Sequence, residues 1–403
     1  MISIRWNRVL LISVILVLAI TYPTLWIRML NDPVQYTGTD YVPFHVVSQI
    51  SRNAGPSHIY DLGLQREYEE NLGNFDIHPE DVRIFLNPPF IVPLVNLIER
   101  PDFRTSLVLW ELLNLFFLLA GASLILHLIY SHFTRSTLLI FLFGIFCFFP
   151  AYKSLVIGQN SPILLFGAIM LLTGTIRKKD WMAGLGLAVM TIRPHIVIPL
   201  ALPFLFNRRR IFCWFLAGAG FLGLVSLGYS GWEGITGYFE MLLVSGSGSN
   251  STTGENNMVN VIGILLRLFP ELSIDIVHWI GWGLYLLSII AICVLWKKST
   301  AIEGKQISIA ILIITLTVPH IHMHDLILWA IPLTMLLLYS TECKEHTSLA
   351  ATLPWWISFG FLLSFFSPIL EASIPYIIYC MLLFAVIKPK KLRALLGSET
   401  GGT

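Results

Sequence analysis

VLLISVILVLAITYPTLWI, residues 9–27, holds no Asp, Glu, Lys or Arg and follows Arg5 and Arg8. An α-helix of about 20 predominantly apolar residues spans the hydrocarbon core of a bilayer, so this stretch predicts a crossing. It is long, its outer end is aromatic, and no small-x-small cleavage site precedes Asn31, which makes it a retained anchor rather than a secretory signal. Similar stretches recur as far as the basic cluster at Lys388, separated by short polar or basic breaks. The whole chain of 403 residues is 55% hydrophobic and 12% charged, about half the charged fraction of a soluble domain. These features predict an all-α integral membrane protein, a multi-helix bundle of about twelve transmembrane helices forming one polytopic domain over residues 1–403.

The basic residues gather at segment ends (Arg208, Arg209, Arg210; Lys297, Lys298; Lys388, Lys390, Lys391, Arg393). That placement orients a membrane protein and excludes a nucleic-acid surface. With Arg5 and Arg8 inside, residues 31–83 form an outer loop. It has nine acidic residues against three arginines and is expected to lie on the membrane as short amphipathic helices. Starting from Arg208 inside, the later apolar runs leave a Gly/Ser/Asn-rich second outer loop at 230–275, put His320, His322 and His324 outside, and end in a cytoplasmic tail at 388–403. Between residues 84 and 207 six short apolar pieces must supply an odd number of crossings. Either 181–206 is one helix interrupted at Arg193-Pro194, or 87–98 is a half-membrane hairpin. The five cysteines have no C-x-x-C spacing, so neither a disulfide framework nor a thiolate metal site is indicated. No 20–50-residue repeat of the kind that marks a solenoid is present.

Several polar groups stand out against this background. Asp40, in Gly38-Thr39-Asp40-Tyr41, lies just beyond the first membrane exit, where a carboxylate can serve as general base or as a helix N-cap. Asn87-Pro88-Pro89-Phe90 opens an apolar helix with the prolines suited to a first turn. Gly158-Gln159-Asn160 precedes another. Arg193 sits 14 residues after Lys179, the last of the basic cluster Arg177-Lys178-Lys179, and 15 before Arg208. An ionisable residue there costs roughly 2.5 to 3.5 kcal/mol on insertion scales, so it is read either as a phosphate ligand or as the partner of a buried carboxylate such as Glu111. Pro319-His320-Ile321-His322-Met323-His324-Asp325 offers three histidines that could donate hydrogen bonds to a phosphate, pair with a carboxylate, or hold a metal if extended.

Taken in order, these motifs resemble glycosyltransferase family 87, the membrane mannosyltransferases of GT-C type, also known as a domain of unknown function. Ile59-Tyr60-Asp61, Trp110, Asn114, Ala183-Gly184-Leu185-Gly186-Leu187 and the Arg208–Arg210 run complete the likeness, which covers roughly residues 30–340. The resemblance implies a polyprenyl-phosphate sugar donor, a lipid or glycan acceptor, and an active site on the outer face of the plasma membrane. Asp40 then matches the catalytic base and Arg193 a position more often occupied by lysine. The histidine string departs from the family pattern, since Val318 replaces a serine and the tryptophan is absent. Asp40 and His322 are accordingly the expected catalytic residues, with Arg193, His320, His324 and Gln159 binding the donor phosphate. No cofactor or metal is called for, because a phosphate leaving group is already charged and the chain holds no Asp-x-Asp pair. The rival from another class is a transporter or flippase for a polyprenyl lipid, which would carry its charged site near the midplane between repeats.

Overall fold

The computed structural model describes residues 2–73, 77–78, 81–130, 133–246, 254–299, 302–342 and 347–387, and every regular element among them is helical. Four helices are long and apolar enough to cross a bilayer: Ile12–Leu30, Phe103–Ile129, Arg209–Ser245 and Ile274–Lys297. Their outward faces stay apolar, with Leu216, Phe221 and Leu224 exposed on one and Trp279, Leu287 and Ile290 on another. Such continuous apolar surface is what lipid solvates and water does not. Shorter apolar helices pack between them.

The path between residues 84 and 207 follows from a few polar contacts. Arg208 pairs with Asp180 and donates through Nη1 to the Thr175 carbonyl at 3.2 Å. Arg177 donates to the His127 carbonyl at 2.8 Å, and Asn207 to those of Trp296 and Ser299 at 2.9 Å each. The ends of four apolar segments therefore meet at one basic face. Because Asp180 and Arg208 share that face, the chain between them descends, turns at Arg193 and returns, so 181–206 is not a single interrupted crossing. Asn87, by contrast, joins Tyr60 and Asn160, while Glu99 joins Tyr41. Both ends of 87–98 thus pack beside residues 41–60.

Backbone proximity lets the 180–192 arm pack against Ser161–Ile176. A Cβ on Gly186 would lie 2.5 Å from the Gly167 carbonyl oxygen and 2.7 Å from the Leu171 nitrogen. The Ala183-Gly184-Leu185-Gly186-Leu187 motif is therefore a small-residue seam of the kind that draws membrane helices together. Gly186→Ala should destabilise the fold by about 1 to 3 kcal/mol through overpacking. An unchanged melting temperature in detergent would show that the seam can open.

Two expectations are corrected. The helix Val42–Asn53, within the segment expected to lie on the membrane surface, packs on protein instead, with Phe44 against the rings of Trp110 at 4.8 Å and Phe85 at 5.5 Å. Nor does 230–275 behave as a loop. Helical structure continues to Gly246 through a bend at Gly231 (φ 67°), and helix resumes at Val261–Leu268. Glycine tolerates that left-handed φ and so redirects the helix without ending it; beyond the bend Tyr238 and Met241 turn into the protein while Trp232, Phe239 and Leu243 stay exposed. The expected tail at 388–403 and the stretch 247–253 lie outside the described residues.

Candidate active site

Asp40 sits on a short bridge between the helices Pro33–Thr37 and Val42–Asn53. Arg83 grips the near side of that bridge, donating through Nη1 to the carbonyls of Thr37 (2.9 Å) and Thr39 (3.2 Å). Arg83 is itself held by Glu69, whose Oε1 lies 2.5 Å from Nε and whose Oε2 accepts the backbone N–H at 3.0 Å. On the far side Tyr41 is fully buried and donates to Glu99 Oε2 at 2.8 Å. Burial, reinforced by the Glu99 charge, pushes the Tyr41 phenol far above its usual range, so it stays a donor. The backbone carrying Asp40 is thus pinned at both ends.

Opposite Asp40 lies the Gly158-Gln159-Asn160 turn. Gly158 adopts φ +73°, and a Cβ there would fall 2.8 Å from that of Tyr41. Only glycine satisfies both constraints. Its carbonyl accepts the Trp110 indole N–H at 2.7 Å, while Asn160 donates to Asn87 Oδ1 at 2.7 Å and Tyr60 to the Asn87 carbonyl at 2.6 Å. Four separate sequence motifs converge here on one hydrogen-bonded knot.

Gln159 is the link that the knot positions. Its Nε2 donates to Asp40 Oδ2 at 2.8 Å, and its Oε1 accepts from Arg193 Nη2 at 2.8 Å. An amide oriented the other way would set donor against donor and acceptor against acceptor. Arg193 occupies the turn of the 180–207 hairpin with a non-helical backbone (φ −127°, ψ 78°) and is 8% exposed. Its Nε lies 3.8 Å from Asp325 Oδ1, which also accepts from Ser161 Oγ at 2.8 Å; His324 Nε2 is 3.5 Å from Asp325 Oδ2. Glu111 is not the partner of Arg193, since it accepts instead from the Trp26 indole at 2.9 Å on another part of the bundle.

The histidines extend the cluster as a row of rings, with centroids 4.8 Å apart between His320 and His322 and 5.8 Å between His322 and His324. Burial drives His320 well below its ordinary pKa, helped by the neighbouring His322, His195 and Arg193, so it is neutral. Among the described residues no three His, Cys, Asp or Glu side chains are grouped as metal ligands.

Two cavities meet at this cluster. One, of about 590 Å³, is lined by Asp40, Gln159, Arg193, His320, His322 and His324, so all six expected site residues face a single space. The other, of about 740 Å³, is walled largely by apolar side chains such as Leu222, Leu227, Phe239, Leu242 and Trp282. Leu86, Arg193 and His320 line both. Asp325, Arg83 and Glu69 support the site in addition to the six residues expected from the sequence. Asp325 closes the histidine string and was visible as such, whereas nothing local marks Arg83 or Glu69 apart from other charges in an acidic loop.

The model of glycosyltransferase family 87 matches residues 85–319, more than half of the chain. No curated protein matches it.

Proposed function

The chain belongs to glycosyltransferase family 87 and is a membrane glycosyltransferase, and we propose that it moves a hexose from a polyprenyl-phosphate donor to a lipid or glycan acceptor on the outer face of the plasma membrane. The observation that carries this reading is the pair of cavities that share Arg193 and His320. A polyprenyl-phosphate sugar has three chemically distinct parts. Its hydrocarbon chain suits the apolar cavity, its phosphate the hydrogen-bond donors of Arg193 and His320 at the junction, and its sugar the polar cavity beyond. The resemblance to mannosyltransferases implies mannose as the sugar.

In the proposed mechanism Asp40 takes the proton of an acceptor hydroxyl as that oxygen attacks the anomeric carbon, and the bond to the phosphate oxygen breaks. One displacement inverts the configuration. Arg193, Gln159, His320 and His324 stabilise the leaving phosphate, and His322 faces the reacting centre between them. Since Gln159 bonds both Asp40 and Arg193, the base and the phosphate site keep a set separation. A flippase has no need of such a linked base.

Orientation rests on one helix. Ser161–Ile176 runs from Asp325 in the cluster to the basic face at Arg177. Its 16 residues span about 24 Å, close to the roughly 30 Å hydrocarbon thickness, so the cluster lies toward the opposite face. In a cysteine-free background, a cysteine at Asn257, which lines the polar cavity, should react with an impermeant maleimide in intact cells. One at Arg209 should react only after permeabilisation. The reverse pattern would invert the topology and remove the case for an outer-face donor. The function itself is tested by supplying purified protein in nanodiscs with radiolabelled polyprenyl-phosphate mannose; label that neither transfers nor hydrolyses would refute the donor.

A further inference from the structure

The polar cavity continues past Asp40 to a wall that the proposed transfer chemistry leaves unused. Lys153, on the helix Phe149–Val156, and Glu371, near the start of Pro368–Ile387, stand together there with Nζ and Oε1 3.8 Å apart. That distance is too long for a direct hydrogen bond. Both side chains remain partly open, at 35% and 38% exposure. The other carboxylate and guanidinium groups on this cavity are already engaged, Asp40 by Gln159, Arg83 by Glu69, and Arg193 by Gln159 and Asp325.

An ammonium offers three donors and a carboxylate several acceptor sites, and together they carry no net charge. Such a pair matches hydroxyl groups, each of which both donates and accepts. An acceptor bearing phosphate or carboxylate at this point would gain from Lys153 but lose to Glu371, so the pair gives an anionic group no advantage over a neutral one. The cavity volume of about 590 Å³ lies within the range of small-molecule sites, and it runs uninterrupted from this pair to Asp40.

We propose that Lys153 and Glu371 form the acceptor subsite and select a neutral, polyhydroxylated glycan, whose reacting hydroxyl reaches Asp40 while its remaining hydroxyls bridge the pair. The assignment rests on the reading of Asp40 as base and names the acceptor class for that reaction. Part-exposed ion pairs contribute little to stability, so substitutions here leave the protein folded.

The test is direct binding of octyl dimannoside to donor-free protein in nanodiscs, followed by transfer kinetics with polyprenyl-phosphate mannose. Lys153→Met and Glu371→Gln should each weaken dimannoside binding about ten-fold, the loss of a charge-assisted hydrogen bond. The KM for the acceptor should rise in parallel while that for the donor stays unchanged. Wild-type protein that does not bind the dimannoside, or variants that bind it as wild type does, would overturn the subsite. Binding that falls in Lys153→Met but improves in Glu371→Gln would also overturn it, by indicating an anionic acceptor. Because binding is measured without donor, loss of the subsite is distinct from failure of the donor reading, in which the dimannoside binds but nothing is transferred.

Discussion

Asp40→Asn is expected to lower sugar transfer by about three orders of magnitude, within the range attributed to a general base, while the protein stays folded. The amide oxygen of asparagine can still accept from Gln159 Nε2, which now lies 2.8 Å from Asp40 Oδ2. The Arg83 contacts that hold the segment go to the carbonyls of Thr37 and Thr39 and do not involve the Asp40 side chain. What asparagine lacks is the ability to take a proton. The measurement is turnover of polyprenyl-phosphate mannose by purified, donor-saturated enzyme, with melting temperature alongside. Activity within about three-fold of wild type would exclude Asp40 as the base, since base catalysis is larger than that. Asp61→Asn is the matched control. Asp61 Oδ1 accepts the Leu64 N–H at 3.1 Å at the start of the helix Leu62–Gly73, a capping role that asparagine fills equally well, so transfer and stability should both persist.

The elements that could be read from the chain are those that follow from periodicity and charge placement. The long apolar run at 9–27 announces the helix Ile12–Leu30 because the bilayer core accepts little else. The turn at Arg193 is another matter. A buried arginine followed by proline is equally compatible with a kinked crossing and with a hairpin; the Asp180–Arg208 contact decides between them, and that pairing joins residues 28 positions apart. Local patterning carries no record of it. The same holds at the site. Asp40, Gln159, Arg193 and the three histidines stand out because ionisable or amide groups beside apolar helices cost too much to be incidental. Arg83 and Glu69 escape notice because their importance lies in reaching back to Thr37 and Thr39 from a loop already full of charges. Pattern alone also fails to choose a carboxylate for Arg193: Glu111 is a buried acid in an apolar helix, but Trp26 already occupies it.

Pairing with Asp325 changes what replacing Arg193 should do. Arg193→Met removes the positive charge beside Asp325, whose side chain is only 2% exposed. Breaking a buried pair from one side costs about 3 to 5 kcal/mol because the remaining charge is stranded, although Ser161 still donates to Asp325 at 2.8 Å. The donor-free protein should therefore melt at a lower temperature, and binding of polyprenyl-phosphate mannose should fall as well. The two losses have separate causes. Asp325→Asn added to Arg193→Met removes the stranded charge and should recover most of the stability, yet it supplies nothing to hold a phosphate. Arg193→Lys keeps the charge but loses the fork that reaches Gln159, and should retain weakened transfer. If the double variant regained donor affinity together with its stability, Arg193 would be a structural counter-charge to Asp325 and the phosphate would have to bind elsewhere. If stability returns and affinity does not, the guanidinium serves both the fold and the donor, bridging Asp325 on one side and the phosphate on the other.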